Sequence, residues 1–118
     1  MKQFNFLHDL LLLHQEKPAF RCSHMAGIWL RGRLVSVGYN QRKTHPLQTK
    51  FGKNKWAVYL HAEIDAIKNF LKTHTLKDLE RSSMFVVRMK HNLLSNSEPC
   101  SGCKKAIAHF NIKKVYWS

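Results

Sequence analysis

Two short clusters, His61-Ala62-Glu63 and Pro99-Cys100-Ser101-Gly102-Cys103, restrict the fold of this chain more than any other feature. Cys100 and Cys103 lie three residues apart, a spacing that puts both thiols on one face of a helix where they can grip one ion. His61 is a third donor of the same preference. Pro99 suits the first helical position, where a missing N–H costs nothing. Both sulfurs then sit at the positive end of a helix dipole, which favours thiolate over thiol. Three protein ligands leave a tetrahedral zinc with one open position for water, whose pKa it lowers to about 7. Glu63, two residues past His61, can reach that water without being a ligand. It is the candidate general acid–base, placed to take a proton from that water.

A structural metal site competes with this reading. A lone Cys-x-x-Cys is often a zinc knuckle, and it would need a fourth protein ligand, for which His91 and His109 are available. The joint occurrence of both clusters, each at the start of a helix, favours a catalytic site over a structural one.

The charge is one-sided: 20 Lys and Arg against 7 Asp and Glu, a net +13. Between Lys17 and Ala62 there is no acidic residue, while Arg21, Arg31, Arg33, Arg42, Lys43, Lys50, Lys53 and Lys55 fall in that stretch. Such a block favours an anionic partner, either the phosphate of a nucleotide or a nucleic-acid backbone. Phe51, Trp56, Tyr59 and His45 are interleaved with these cations. Aromatic platforms beside cations suit stacked bases, worth about 1–3 kcal/mol each. Trp56 and Tyr59 are expected in the core. Phe51, beside Gly52, is the candidate for touching substrate, with Arg42 and Lys43 as phosphate partners.

The 118 residues are read as one domain, 1–118. Residues 4–16 have helical spacing of apolar side chains, stopped by Pro18. That segment is too short to span a membrane, which takes about 20 residues, and no secretory signal is evident. Three cysteines, an odd number, suit a metal site in a reducing cytoplasm, with Cys22 as a small buried hydrophobe. Residues 25–30 and 33–37 are expected to form a hairpin through Arg31-Gly32. After a long loop from Tyr39 to Trp56, helices are expected over 58–71 and 99–110, with strands over 84–89 and 114–117. The order α, β, β, α, β, α, β implies a mixed sheet, antiparallel in the hairpin and parallel later, flanked by helices.

With both clusters on those helices, the chain resembles the cytidine deaminase superfamily over nearly its whole length, through the signature H-x-E…P-C-x-x-C. Cys103-Lys104-Lys105-Ala106-Ile107, Asn111-Ile112-Lys113-Lys114-Val115-Tyr116 and Gly38-Tyr39-Asn40 are most similar to the deoxycytidylate deaminase branch. Asp65 stands where that branch usually has Asn, and the acid-free loop differs from its nucleotide-binding segments. The resemblance implies an α/β, cytidine-deaminase-like three-layer fold in a minimal version lacking the last strand and helix. It implies zinc held by His61, Cys100 and Cys103, with Glu63 as the proton carrier. It further implies that Asn40 bonds the sugar or base, the Ala62 N–H the base carbonyl, and the Glu98 C=O the amino group. An edge strand at Val115–Trp117 would need covering, and a homo-oligomer is the simplest cover. The activity implied is hydrolytic deamination of cytosine in dCMP or a related nucleotide. The alternatives are deamination of cytosine or adenine in single-stranded DNA or RNA, or an inactive nucleic-acid-binding module with structural zinc.

Overall fold

The computed structural model describes residues 22–40, 60–90 and 93–118. The helix expected over 4–16, the segment from Arg42 through Phe51 to Tyr59, and His91 lie outside the described residues, as does the side chain of Cys22.

The hairpin forms as its sequence implies. Strands β1 (Cys22–Leu30) and β2 (Arg33–Tyr39) pair antiparallel. Arg31 and Gly32 between them both have positive φ, 54° and 79°, the backbone that a two-residue turn of type I′ requires. Helix α1 (Ala62–Phe70) follows, and then a short helix, α2 (Leu76–Glu80). Strand β3 (Ser83–Lys90) runs antiparallel to β1 along the side opposite β2. Strand β4 (Leu93–Ser95) folds back antiparallel onto the end of β3. Helix α3 (Ser101–His109) then leads to β5 (Lys114–Trp117), which pairs parallel with the start of β3. Among the described residues the sheet has five strands in the order β2-β1-β3-β4, with β5 also on β3.

Parallel pairing is thus confined to β3–β5, the pair that α3 bridges. Strands β2 and β3, bridged by α1, run the same way but have β1 between them, because the hairpin partner already occupies the slot beside β2.

Alternation divides the sheet into two buried faces. Ala26, Ile28, Leu30, Met84 and Val86 pack against Ala62, Ala66, Ile67 and Phe70 of α1, Leu79 of α2, and Ile107 of α3. Met25, Trp29, Phe85 and Val87 form a cluster on the opposite face with Tyr39 and Tyr116. A third cluster, Leu60, Ile64, Cys103 and Ala106, joins α1 to α3 and so brings their N-termini together.

Both long helices start later than expected. His61 has extended backbone (φ −81°, ψ 154°) and is the N-cap of α1, not a member of its first turn. Cys100 is the N-cap of α3, so Pro99 precedes the helix and does not open it. The Cys100 sulfur explains the shift, since it accepts from the Cys103 N–H at 3.5 Å as a capping oxygen would. The far end of α3 closes on Asn111 at φ 61°. The Asn111 N–H bonds the Ala108 carbonyl and the Ile112 N–H bonds Ile107, a Schellman stop that buries Ile112 and starts β5.

Candidate active site

The helix starts bring three donors together. The His61 Nδ1 lies 3.6 Å from the Cys100 sulfur and 3.3 Å from the Cys103 sulfur, and all three donor atoms fall within 4.8 Å of one another. Zinc bonds of about 2.3 Å to sulfur and 2.0 Å to nitrogen, at tetrahedral angles, put S and N about 3.5 Å apart. The donor set therefore fits zinc both in chemistry and in spacing. Among the described residues this is the one group of three His, Cys, Asp or Glu that could hold a metal. His109, weighed as a fourth ligand, is on the last turn of α3 with its ring edge-on to Phe110, at the opposite end of the helix from the cysteines.

Electrostatics agree with cation binding. The Cys103 thiol and the His61 ring hold the Cys100 thiol down to about 3, and the Cys103 N–H adds to this. The same sulfur–sulfur contact, together with burial, pushes Cys103 upward. Binding of a cation by the two sulfurs as thiolates would release their protons.

Glu63 occupies the second position of α1 and is only 6% exposed. Burial raises its carboxyl above the ordinary range, against the opposing pull of its own backbone N–H and the His61 ring. It also shares a hydrogen bond with the Cys103 thiol, so it sits beside the donor cluster without being one of the three. A buried carboxyl with a raised pKa is suited to carrying a proton at neutral pH.

The other expected contacts divide. Ala62 is fully buried at the first position of α1, and the His61 side chain does not cap that helix. Of the first-turn N–H groups, that of Glu63 is taken by its own carboxylate. The Glu98 side chain turns outward to Lys104, while its backbone leads into Pro99 beside the cluster. Asn40 is close by, but its Oδ1 already accepts from the His24 N–H at 2.9 Å, so the amide nitrogen is what it has left to offer. Arg42, Lys43 and Phe51 lie outside the described residues.

The sequence reading missed His24 and Arg88. His24 is in phase with Ala26 and Ile28, and Arg88 with Met84 and Val86, so both belong to the helix-facing side of the sheet. They are cross-strand partners. Burial, with help from Arg88 and His61, lowers the His24 pKa below the usual imidazole value, while Cys100 opposes this. A polar residue at an inward phase was the available signal. Asp65, where Asn was expected, is buried. It accepts from the Tyr39 N–H at 3.0 Å and pairs with Lys68 at 2.9 Å.

Three zinc-type donors converging from two helix starts, with a buried carboxyl alongside, fit a hydrolytic zinc enzyme. Residues 2–118 match the cytidine and deoxycytidylate deaminase zinc-binding region, and the chain belongs to that family. It is a zinc-dependent deaminase of the cytidine/dCMP type. No curated protein matches the sequence significantly. The fold is similar to the dCMP deaminase from the cyanophage S-TIM5 in apo form, with TM-score 0.61 and 24% identity, covering 98% of this chain and 80% of that one. Against the same cyanophage enzyme in complex with dCMP and dUMP the values are 0.62 and 23%, covering 96% and 77%. No helix of the described residues is long and apolar enough to cross a membrane.

Proposed function

We propose that this chain hydrolyses the exocyclic amine of cytosine in a mononucleotide of the dCMP type, giving the uracil nucleotide and ammonia. The observation that carries the reading is the buried Glu63 set against three converged donors at two helix N-termini. The family match supports it, as does the similarity to a cyanophage enzyme solved with dCMP and dUMP.

When bound by His61, Cys100 and Cys103, zinc supplies Lewis-acid activation of the attacking water. Glu63 takes a proton from that water and delivers it to the ring nitrogen next to the amino-bearing carbon. A C–O bond forms at that carbon; Glu63 then takes the remaining proton of the added hydroxyl and passes it to the amine, so that the C–N bond breaks, ammonia leaves and the carbonyl forms. The Ala62 N–H, at the positive end of α1, binds the base carbonyl, and the Glu98 C=O takes a bond from the amino group. Asn40 presents its amide nitrogen to the sugar. Arg42, Lys43 and Phe51 remain our candidates for the phosphate and the base face. We read the enzyme as cytoplasmic, and the exposed Leu93, Leu94 and Trp117 fit a homo-oligomer.

A polynucleotide substrate is the second reading. It is favoured by the +13 charge and by the acid-free, basic stretch between Lys17 and Ala62. Zinc-loaded protein and its Glu63→Gln variant should be incubated with dCMP, dCTP, cytidine, single-stranded DNA and tRNA, and deaminated bases counted by mass. We expect turnover of free nucleotide, lowered by at least about 100-fold in the variant, with zinc content unchanged. Turnover confined to polymers, with a steep salt dependence, would replace the first reading with the second.

A further inference from the structure

Strand β3 shares one of its edges between two partners. Strand β1 runs along the whole of one side, from Ser83 to Lys90. On the other side β5 pairs with Ser83–Val86 and β4 with Arg88–Lys90. Ser97 and Ser118 meet in the gap between those two short strands. The Val86 carbonyl accepts from the Ser97 hydroxyl at 2.8 Å and from the Ser118 N–H at 3.1 Å. The Ser97 N–H donates to the Ser118 carbonyl at 2.9 Å, and the Ser118 hydroxyl donates to the Ser95 carbonyl at 2.7 Å. Ser97 is buried, so the chain is pinned to the sheet one residue before Glu98.

Glu98 itself is held from three sides. Before it, the Asn96 Oδ1 accepts from the Glu98 N–H at 3.0 Å, an Asx turn. After it, the buried Pro99 confines Glu98 to extended backbone. Its carboxylate is paired with Lys104 on α3. The peptide unit between Glu98 and Pro99 has a carbonyl but no N–H, so it presents an acceptor without a donor beside it. Among the described residues no backbone N–H donates to that carbonyl. Two residues further on, Cys100 enters the donor cluster, which puts this aimed carbonyl next to the reacting centre.

We propose that Asn96 and Ser97 are positioning residues that aim the Glu98 carbonyl, and through it make the site prefer the amine of the substrate to the oxygen of the product. An exocyclic amine donates to the carbonyl. The oxygen that replaces the amine after hydrolysis carries only lone pairs, so two acceptors then face each other and the product is held more weakly. The same contact that selects substrate thus helps to release product. This inference rests on the mononucleotide reading above, in which the Glu98 carbonyl meets the amino group.

Calorimetric binding of dCMP and dUMP to zinc-loaded Glu63→Gln, in which turnover is suppressed, tests the proposal when Asn96→Ala, Asn96→Asp or Ser97→Ala is added. Asn96 is exposed, so its variants keep the fold. Asn96→Ala should lower the dCMP-to-dUMP affinity ratio by about 3- to 10-fold, through weaker dCMP binding and with zinc content unchanged. Asn96→Asp keeps the acceptor and should restore the ratio, because its added charge acts alike on both nucleotides and cancels. Ser97→Ala, at saturating zinc, should lower the ratio as well. Equal losses for the two ligands, or a ratio that stays put in either Ala variant, would overturn the proposal and leave these residues a structural role. If the unsubstituted protein deaminates no mononucleotide, the mononucleotide reading fails, and the inference with it.

Discussion

Along β2 a helix takes up the strand's outward-facing backbone groups, whereas the opposite edge of the sheet presents large apolar side chains to solvent. At β2 the Tyr39 N–H bonds the Asp65 carboxylate at 3.0 Å, and the Val37 carbonyl accepts from the Asn69 amide at 2.9 Å. The Ser36 hydroxyl reaches the Ala66 carbonyl at 2.6 Å. Helix α1 can come this close because Gly38 has no side chain. A Cβ there would lie 2.2 Å from both the Ala62 oxygen and the Ala66 nitrogen. Across the sheet, Leu93 is 70% exposed, Leu94 48% and Trp117 44%. Unpaired edges invite pairing with other chains. The β2 edge is closed by the helix whose first residues build the active site, so sealing that edge and positioning His61 and Glu63 are one structural task.

The largest test is Gly38→Ala. Two backbone atoms would have to give way, so we expect a loss of at least about 3 kcal/mol. In thermal unfolding that is a fall of more than 10 °C, with zinc retention falling in parallel. Retention of both would mean that α1 does not depend on this edge. Asp65→Ala should cost about 1–3 kcal/mol in denaturant unfolding, because it strands the Tyr39 N–H. Asp65→Asn keeps an acceptor and should cost less than about 1 kcal/mol, the value of an ion pair such as that with Lys68.

On the other side, Ser97 is buried and donates to the Val86 carbonyl at 2.8 Å, while the Ser118 N–H donates to its hydroxyl at 2.9 Å. Ser97→Ala should cost about 1 kcal/mol, and zinc affinity should weaken with it, since Pro99 and Cys100 follow directly. The smallest effect belongs to a Leu94→Lys, Trp117→Ser double variant. We expect unfolding free energy to change by less than about 1 kcal/mol, with a clear reduction in sedimenting mass. An unchanged mass would show that this edge does not mediate self-association.

The comparison also separates what could be read in the sequence from what could not. The hairpin, the strand at β3, both long helices and β5 were legible, because each has a local period or a turn dipeptide that tertiary contacts did not override. Helix α2 escaped notice. It is five residues long and is held by a capping box between Thr75 and Asp78, a pattern with no apolar period to announce it. Strand β4 has three residues and exists through pairing with Arg88–Lys90 alone. The helix starts were misjudged by a few residues because His61 and Cys100 are N-caps with extended backbone, Cys100 through its sulfur and His61 without a side-chain cap bond.

What the sequence by itself determined is the chemistry: three soft and borderline donors and one carboxylate, at spacings that only helix starts make useful. Such spacings are local, so they survive without knowledge of the fold. Only the tertiary structure decided that His24 and Arg88 meet across two strands, that Asp65 serves an edge N–H, and that Gly38 must remain bare. Each of those facts depends on strand register and on how closely a helix approaches a sheet. Both arise from packing between residues distant in the chain, which no local pattern records.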